Sequence, residues 1–322
     1  LLARRGSAAA RGWLNQAVAF GAVLPVGADL STQFHGLALA DELDGDPAAA
    51  VRRLDAGLAR QPSVVLLRHR ARLHEALGDP DAALADRTAV VELDPGRPEH
   101  HVERAGLLRR TGRLHEALDD YQQAIDASPP WAEVHFSRGD TLAELGDVEG
   151  ALADFDYVLQ LEPDHLDARV KRAGLLIRLG NHDEAAVDVE TGLAHDPTNP
   201  LLLCQRGQLL AARGLLDEAG EAYSAAIELD PTLAEAWALR GALHVEAGEL
   251  AAALGDLDHA AQLSGDPTMT LNRAAALQAS GRFAEAIAAY DAVLATSDDP
   301  DARLQRQICR AQLGAASVPR PR

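Results

Sequence analysis

The fragment LHEAL occurs twice, at residues 73–77 and at residues 114–118, and is the closest that the sequence comes to a catalytic motif. A zinc-binding helix that starts with His-Glu needs a second histidine four residues after the first, so that both rings lie on one face. Gly78 and Asp119 occupy those two positions. The other histidines are scattered, and we therefore expect neither a metal site nor a metal cofactor.

No other combination of residues indicates catalysis. The sequence has no glycine-rich phosphate loop and no GxSxG element, and neither cysteine has a recognisable base partner. Cys204 and Cys309 lie far apart and form no CxxC pair, so the sequence supports neither a disulfide framework nor a zinc knuckle. We expect a protein that is not an enzyme and that uses no cofactor.

The composition indicates closely packed helices in an acidic protein. Of the 322 residues, 47% are hydrophobic but only 4% are aromatic, and alanine and leucine, which favour helices, dominate. The formal net charge of -19 argues against nucleic acid as a partner, because phosphate binding relies on clustered lysine and arginine. No apolar run reaches the roughly 18 residues of a transmembrane helix, so we expect no membrane span.

Residues 1–30 differ from the rest of the chain. Three arginines precede an apolar run, AVAFGAVLPVGA at residues 17–28, which ends in small residues. This order is typical of a secretory signal peptide, and the alternative is a capping helix that packs on the element that follows. The protein is thus expected to be cytoplasmic, or exported or periplasmic if residues 1–28 are a signal peptide.

The rest of the chain is one unit repeated every 33 or 34 residues. A glycine recurs at that interval, and an alanine follows each glycine after five residues. The glycines are Gly45, Gly78, Gly112, Gly146, Gly180, Gly214, Gly248 and Gly281, and the alanines are Ala50, Ala83, Ala117, Ala151, Ala185, Ala219, Ala253 and Ala286. With each glycine numbered as position 15, position 8 is always Ala or Gly, position 24 is usually large and apolar, and position 32 is usually proline.

This register predicts a helical hairpin. Apolar spacings of three and four residues within positions 2–14 and 18–30 indicate two helices in each unit. The glycine supplies the left-handed conformation that ends the first helix, and the proline prevents the second from continuing. Small residues at positions 8 and 20 lie at the same level, so the two helices can approach closely. One hairpin cannot cover its own apolar face, so we predict an all-α solenoid of stacked hairpins.

The pattern resembles the tetratricopeptide repeat (TPR) family, whose 34-residue hairpins have small residues at positions 8, 20 and 27, an aromatic residue at 24 and proline at 32. The resemblance implies a right-handed α-solenoid superhelix, and we expect a monomer. Eight repeats would occupy residues 31–300, a capping helix residues 301–314 and a tail residues 315–322. Arg87 departs from the pattern, because it replaces the large apolar residue at position 24.

Arginine stands at position 7 of seven consecutive repeats, and aspartate at position 23 of five of them. The arginines are Arg70, Arg104, Arg138, Arg172, Arg206, Arg240 and Arg273, and the aspartates are Asp86, Asp120, Asp154, Asp188 and Asp256. The two positions lie at one level, so we predict ion pairs between the helices of a hairpin. The alternative is a column of arginines that grips an acidic ligand. Arg206 and Arg273, which lack the aspartate, are its best candidates, although Glu221 or Asp291 could replace the missing carboxylate.

In the TPR family, positions 2, 5, 6, 9, 12 and 13 of the first helix line a concave groove that binds peptides. The resemblance therefore implies a basic region in the groove of the second and third repeats, which would attract an acidic segment. Its members are Arg68, His69, Arg72, Arg109 and Arg110. Carboxylates on the same face would neutralise these charges instead. In the fourth repeat, Phe136 and Asp140 stand at ligand-facing positions.

The inner face of the sixth to eighth repeats is apolar and includes Leu201, Cys204, Leu239 and Leu271. An exposed apolar groove often marks a partner site, so we expect apolar side chains of a bound peptide here and acidic ones in the basic region. Some family members clamp a C-terminal carboxylate with Lys and Asn. That pattern is missing here, so a binder of chaperone tails is not indicated.

Two functions are consistent with the sequence. The first is a non-enzymatic protein-protein interaction scaffold that binds a peptide or protein segment in its concave groove to assemble a complex. The second is an accessory or regulatory subunit, or a fragment of a larger TPR-containing enzyme, in which the repeats recruit the substrate. The partner's identity does not follow from the groove residues.

Overall fold

The computed structural model describes residues 30–127 and 131–316, and in these two ranges it has seventeen α-helices and no strand. The predicted all-α fold is confirmed. The chain divides after Pro163 into two compact units. The N-terminal segment 1–28 lies outside the described residues, so both of its interpretations stay predictions.

The first unit contains four helical hairpins, which correspond to the first four repeats. Its helices are α1 (Leu30–Leu43), α2 (Pro47–Leu58), α3 (Val64–Ala76), α4 (Pro80–Leu93), α5 (Pro98–Arg110), α6 (Leu114–Ala127), α7 (Ala132–Leu145) and α8 (Val148–Leu161). Each odd-numbered helix is the first helix of a repeat and packs against the even-numbered helix that follows it.

The second unit contains four further hairpins and one additional helix. Its helices are α9 (Leu166–Leu179), α10 (His182–His195), α11 (Pro200–Ala212), α12 (Leu216–Leu229), α13 (Ala234–Glu246), α14 (Leu250–Leu263), α15 (Pro267–Ala279), α16 (Phe283–Leu294) and α17 (Pro300–Ala316). α17 packs against α16, and its Ala302 and Cys309 are buried in the core of the eighth repeat.

Each hairpin turns at the glycine of position 15. All eight of these glycines have φ between 75° and 83°, and no other described residue has a positive φ. Glycine adopts this left-handed conformation without the steric cost that a Cβ brings. An aspartate often follows and caps the second helix. The Oδ1 atoms of Asp79 and Asp147 each accept a hydrogen bond at 3.0 Å, from the backbone N–H of Ala82 and Gly150 respectively.

Small residues allow the two helices of a hairpin to touch. The alanine at position 20 is completely buried in all eight repeats. In three repeats position 8 is glycine, and a Cβ there would collide with the large residue at position 24. A Cβ on Gly207 would lie 2.5 Å from Cε1 of Tyr223, and a Cβ on Gly241 would lie 2.8 Å from Cγ of Leu257. The backbones approach as closely as these side chains permit.

The core continues from one hairpin to the next. Leu66 and Leu73 of α3 are buried in the same cluster as Leu54 of α2. At the end of the second unit, the Sγ atom of Cys309 lies 3.2 Å from Oε1 of Gln278, which also accepts a hydrogen bond from the Tyr290 hydroxyl at 3.1 Å. Within each unit, neighbouring hairpins therefore cover each other's apolar faces, as stacking in a solenoid requires.

Replacement of Gly207 by alanine should destabilise the sixth repeat by roughly 2 kcal/mol, because the added methyl group must displace the Tyr223 ring in a packed core. Gly220 in α12 is a matched control, because a Cβ there has no heavy atom within 4 Å. Gly220→Ala should stabilise the protein by about 0.5–1 kcal/mol through helix propensity. Urea unfolding followed by circular dichroism measures both changes, and a shift of the same sign in the two variants would contradict this account of the packing.

Candidate peptide-binding surface

The arginines at position 7 bind the aspartates at position 23 of the same hairpin. Nε of Arg138 donates to Oδ2 of Asp154 at 2.8 Å, and its Nη2 donates to Oδ1 at 2.7 Å. The same two bonds, at 2.5–2.9 Å, join Arg70 to Asp86, Arg104 to Asp120, Arg172 to Asp188 and Arg240 to Asp256. The aspartates are buried. The predicted structural ion pairs are confirmed.

Position 4 adds another donor to some of these pairs. Nδ1 of His135 lies 2.8 Å from Oδ1 of Asp154, and Nη1 of Arg169 donates to Oδ1 of Asp188 at 3.2 Å. The hydrogen bond to Asp154 raises the pKa of Arg138. The five arginines that face an aspartate are therefore bound to buried carboxylates. They stabilise the hairpins and are not available to bind a ligand.

Arg206 and Arg273, which lack an aspartate at position 23, face the preceding hairpin. Nε of Arg206 lies 3.6 Å from Oε1 of Glu190, and Nε of Arg273 donates to Oδ1 of Asp258. Both acceptors stand at position 25 of the repeat before. Neither Glu221 nor Asp291 is the carboxylate at these arginines.

Position 25 is used in the same way elsewhere. Nη1 of Arg138 donates to Oε1 of Gln122 at 2.5 Å, and Nη1 of Arg306 in α17 donates to Oδ1 of Asp291 at 2.5 Å. Asp291 thus binds the helix that follows its own hairpin. The arginine column joins neighbouring repeats as well as the two helices within each.

The basic residues predicted for the groove are bonded to carboxylates on neighbouring first helices. Nε of Arg68 donates to Oε2 of Glu103 at 3.1 Å. Nη1 and Nη2 of Arg72 donate to the two oxygens of Glu42 at 2.8 and 2.6 Å. The structure thus shows the mutual neutralisation that the sequence left as an alternative to an open basic surface.

Arg109 and the fourth-repeat residues follow the same rule. Nε of Arg109 donates to Oε1 of Glu144 at 2.9 Å, and its Nη2 donates to Oδ2 of Asp140 at 2.9 Å. Asp140 is buried. Phe136 is half-buried and packs on Phe155, with 5.8 Å between ring centroids. The charged groups in this part of the surface are therefore paired with one another.

Arg87, the departure at position 24, links two of the groove ion pairs. Its Nη2 donates to Oε1 of Glu75 at 3.1 Å, and its Nη1 donates to Glu103. Glu75 also accepts from Arg110, and Glu103 also accepts from Arg68. These five groups have three positive and two negative formal charges. Their network therefore retains one positive charge.

An open cavity of about 440 Å³ lies beside this network in the first unit. Its lining residues are His35, Leu39, Val65, Arg68, His69, Arg72, Arg87 and Glu103. Leu39 is 39% exposed and Val65 is 50% exposed. Aliphatic and guanidinium groups thus meet at one open site.

Two histidines of the cavity contact each other. Nδ1 of His69 lies 3.2 Å from Nδ1 of His35, and the rings are 4.8 Å apart and steeply inclined. Nε2 of the buried His69 lies 3.1 Å from Oε2 of Glu42. The hydrogen bonds from Arg72, and then the bond to His69, lower the pKa of Glu42 to about 2. Burial, followed by repulsion from His69, lowers the pKa of His35.

The apolar residues predicted for the second unit are only partly accessible. Leu201 is 43% exposed, and Leu239 and Leu271 are half-buried. Cys204 is 2% exposed and lies in a core cluster with Ala236 of the next repeat, where burial raises the pKa of its thiol. The next hairpin covers this small side chain, so the three leucines but not the cysteine can meet a ligand.

Within the described ranges, no three His, Cys, Asp or Glu side chains are grouped so that they could hold a metal ion. Both cysteines are buried free thiols. None of the described helices is both long and apolar enough to cross a membrane.

Family models match more than half of the sequence. The model of the tetratricopeptide repeat matches residues 68–130 and 136–200, and a further TPR repeat model matches residues 207–248. The chain belongs to the tetratricopeptide repeat family. TPR repeats imply a protein-protein interaction scaffold. A search of curated proteins gave no match.

Solved structures with a similar fold include other TPR proteins. A tetratricopeptide repeat protein from Parabacteroides merdae ATCC 43184 is 21% identical, with a TM-score of 0.67 over 77% of this chain and 98% of that chain. Yeast Tom70 is 18% identical, with a TM-score of 0.58 over 92% and 66%. The APC/C hetero-tetramer Cut9-Hcn1 gives 14% identity and a TM-score of 0.65 over 93% and 58%. These likenesses concern the fold alone.

The sequence analysis missed three residues of the cavity, although a signal for them existed. His35, Leu39 and Val65 stand at positions 5, 9 and 2 of their TPR repeats, all of which are groove positions. Arg87 was recognised as a departure from the TPR pattern, but its contacts with Glu75 and Glu103 depend on the neighbouring hairpins.

Asp154→Ala should destabilise the protein by roughly 3 kcal/mol, because Arg138 and His135 then lose a buried acceptor. The control is Glu116→Ala, which removes an exposed ion pair with Arg113 and should cost far less stability, because water and salt screen such a pair. Urea unfolding at neutral pH compares the two variants. Equal destabilisation would show that the buried pair contributes no more than a surface pair.

Proposed function

We propose that the protein is an interaction scaffold that binds a segment of a partner protein on the first helices of repeats one to three. The observation that carries the proposal is the open cavity, which places the exposed side chains of Leu39 and Val65 beside Arg68 and Arg72. Exposed aliphatic groups next to positioned charges are typical of a site that orients a ligand.

The repeat pattern supports the same surface. Positions 8, 15 and 20 have nearly the same residue types in every hairpin because the close helix contact requires them. Positions 2, 5 and 9 are not constrained in this way. They hold Val65, Arg68 and Arg72 in the second repeat, whereas in the sixth repeat they hold Leu201, Cys204 and Gln208. Recognition in a TPR protein is therefore expected at these variable positions.

The second unit offers a separate apolar surface. Leu201, Leu239 and Leu271 are partly accessible on its first helices. This surface suits apolar side chains, whereas the cavity of the first unit combines apolar and charged contacts. A scaffold with two distinct surfaces can bind two segments, and in this way it assembles a complex.

Val65→Glu should reduce partner capture about tenfold, because it places a charge where we propose an aliphatic contact. Val187, which is 63% exposed on α10, a second helix, gives the matched variant Val187→Glu. Affinity purification from the native host, with quantitative mass spectrometry, compares the two variants with the unmodified chain. A partner that both variants capture in the same amount as the unmodified chain does not use this cavity. If every captured partner behaves in this way, the proposal fails.

The double variant Leu239→Glu and Leu271→Glu tests the second surface in the same assay. Partners that use it should be lost from the double variant, since two carboxylates would enter an apolar contact. Leu304→Glu on α17 is the control, because Leu304 is 53% exposed and lies outside this surface. Unchanged capture by the double variant would remove the second surface from the proposal.

A further inference from the structure

We infer that the cavity of the first unit is a carboxylate site that takes up a proton on binding, through the His35–His69 pair. It should therefore bind an acidic, aliphatic segment of the partner more tightly as the pH falls into the acidic range in which histidines titrate. The inference rests on the proposed function of the cavity and adds the chemistry of the partner segment and a control of its affinity.

The geometry of the pair sets its proton count. The Nδ1 atoms of His35 and His69 are 3.2 Å apart, so a single proton lies between them. A second proton, on Nε2 of His69, is donated to Glu42. With these two protons the pair is neutral. A third proton, on Nε2 of His35, gives the pair a positive charge without breaking either contact.

The surroundings of His35 disfavour its protonation. His35 is partly buried, and burial, followed by the neighbouring His69 and Arg72, lowers its pKa, while Glu42 raises it. The charged groups beside the pair are, by element, Glu42 on α1, Arg68 and Arg72 on α3, Arg87 on α4 and Glu103 on α5. Arg53 is bonded to Asp41, so α2 contributes no unpaired charge.

A bound carboxylate favours protonation of His35. A negative charge in the cavity attracts the third proton to His35, so binding and proton uptake favour each other. Because the bound state holds more protons, its affinity must rise as the pH falls. If the carboxylate raises the pKa of His35 by about one unit, the affinity rises up to about tenfold.

The other features of the cavity select a carboxylate on a peptide rather than a polyanion. The network of Arg68, Arg87 and Arg110 with its two glutamates retains a single positive charge, which matches one acidic side chain. The net charge of -19 repels a nucleic acid. Leu39 and Val65 provide contacts for an aliphatic neighbour of the acidic residue.

The test uses the full chain and two fluorescein-labelled probe peptides, one of alternating leucine and glutamate and one of alternating leucine and glutamine. Fluorescence anisotropy measures their affinity at about pH 7.5 and about pH 5.5, where glutamate is still ionised. We expect the glutamate probe to bind several-fold more tightly at the lower pH, at most about sixfold for a one-unit rise in the pKa of His35, and the glutamine probe to show no such change. The inference is overturned if the glutamate probe does not bind, or if its affinity does not rise between about pH 7.5 and about pH 5.5.

His35→Gln removes the titrating group but keeps the contact between His69 and Glu42. It should abolish the pH dependence, whereas the control His115→Gln, at an exposed histidine on α6, should retain it. An undiminished pH dependence in His35→Gln overturns the inference. The proposed function is judged separately, because capture of the native partner by the Val65→Glu and Val187→Glu variants at neutral pH does not depend on protonation of the pair.

Calorimetry of the unmodified protein provides a measurement that needs no variant. Binding of the glutamate probe in buffers of different ionisation enthalpy counts the protons that are taken up. We expect the uptake of a fraction of a proton per bound peptide near pH 6, at most about half a proton for a one-unit rise in the pKa of His35. No uptake at this pH would contradict the mechanism, whatever the affinity.

Discussion

The close contact between the two helices of each hairpin is the constraint on which the rest of the structure depends. It requires Ala or Gly at position 8 and alanine at position 20, because any larger side chain would force the helices apart. Gly207 shows how little space remains, since a Cβ there would lie 2.5 Å from the Tyr223 ring. The glycine at position 15 is the second part of the same constraint, because it brings the chain back at the level where the small residues meet.

The buried charges follow from this geometry. Closely packed helices place positions 7 and 23 opposite each other, and an arginine there would lack an acceptor without an aspartate such as Asp154. The same arginine extends to position 25 of the repeat before, as Arg138 does to Gln122. The ion pairs thus fix the level of the helices within a hairpin and the register of one hairpin on the next. We propose that recognition uses the first-helix positions that neither contact involves.

Much of the fold could be predicted from the sequence because its signals are local and repeated. The turn at each glycine, the buried alanines and the pairs such as Arg138–Asp154 all depend on positions within one hairpin. The acceptor at position 25 could not be predicted in this way, because Asp, Glu and Gln all serve there and the donor lies in another repeat. The burial of Cys204 also escaped prediction, since the covering residues belong to the next hairpin.

The contacts of the basic region could not be predicted from the sequence for the same reason, because they also join different repeats. The resemblance to the TPR family assigned Arg68 and Arg72 to groove positions, but their pairing with Glu103 and Glu42 depends on the stacking of different first helices. Only the stacked structure shows that Arg87 turns toward these pairs and lines an open cavity with them. The surface is therefore a nearly neutralised network with one cavity, rather than an open positive patch.

Site-specific photo-crosslinking tests the central claim most directly, namely that partners bind the first helices rather than the second. A benzophenone side chain is placed at Leu39, at Leu201 or, on a second helix, at Val187, all of which are exposed. The account predicts crosslinks to the partner from Leu39 or Leu201 and none from Val187. Crosslinks from Val187 alone would contradict it.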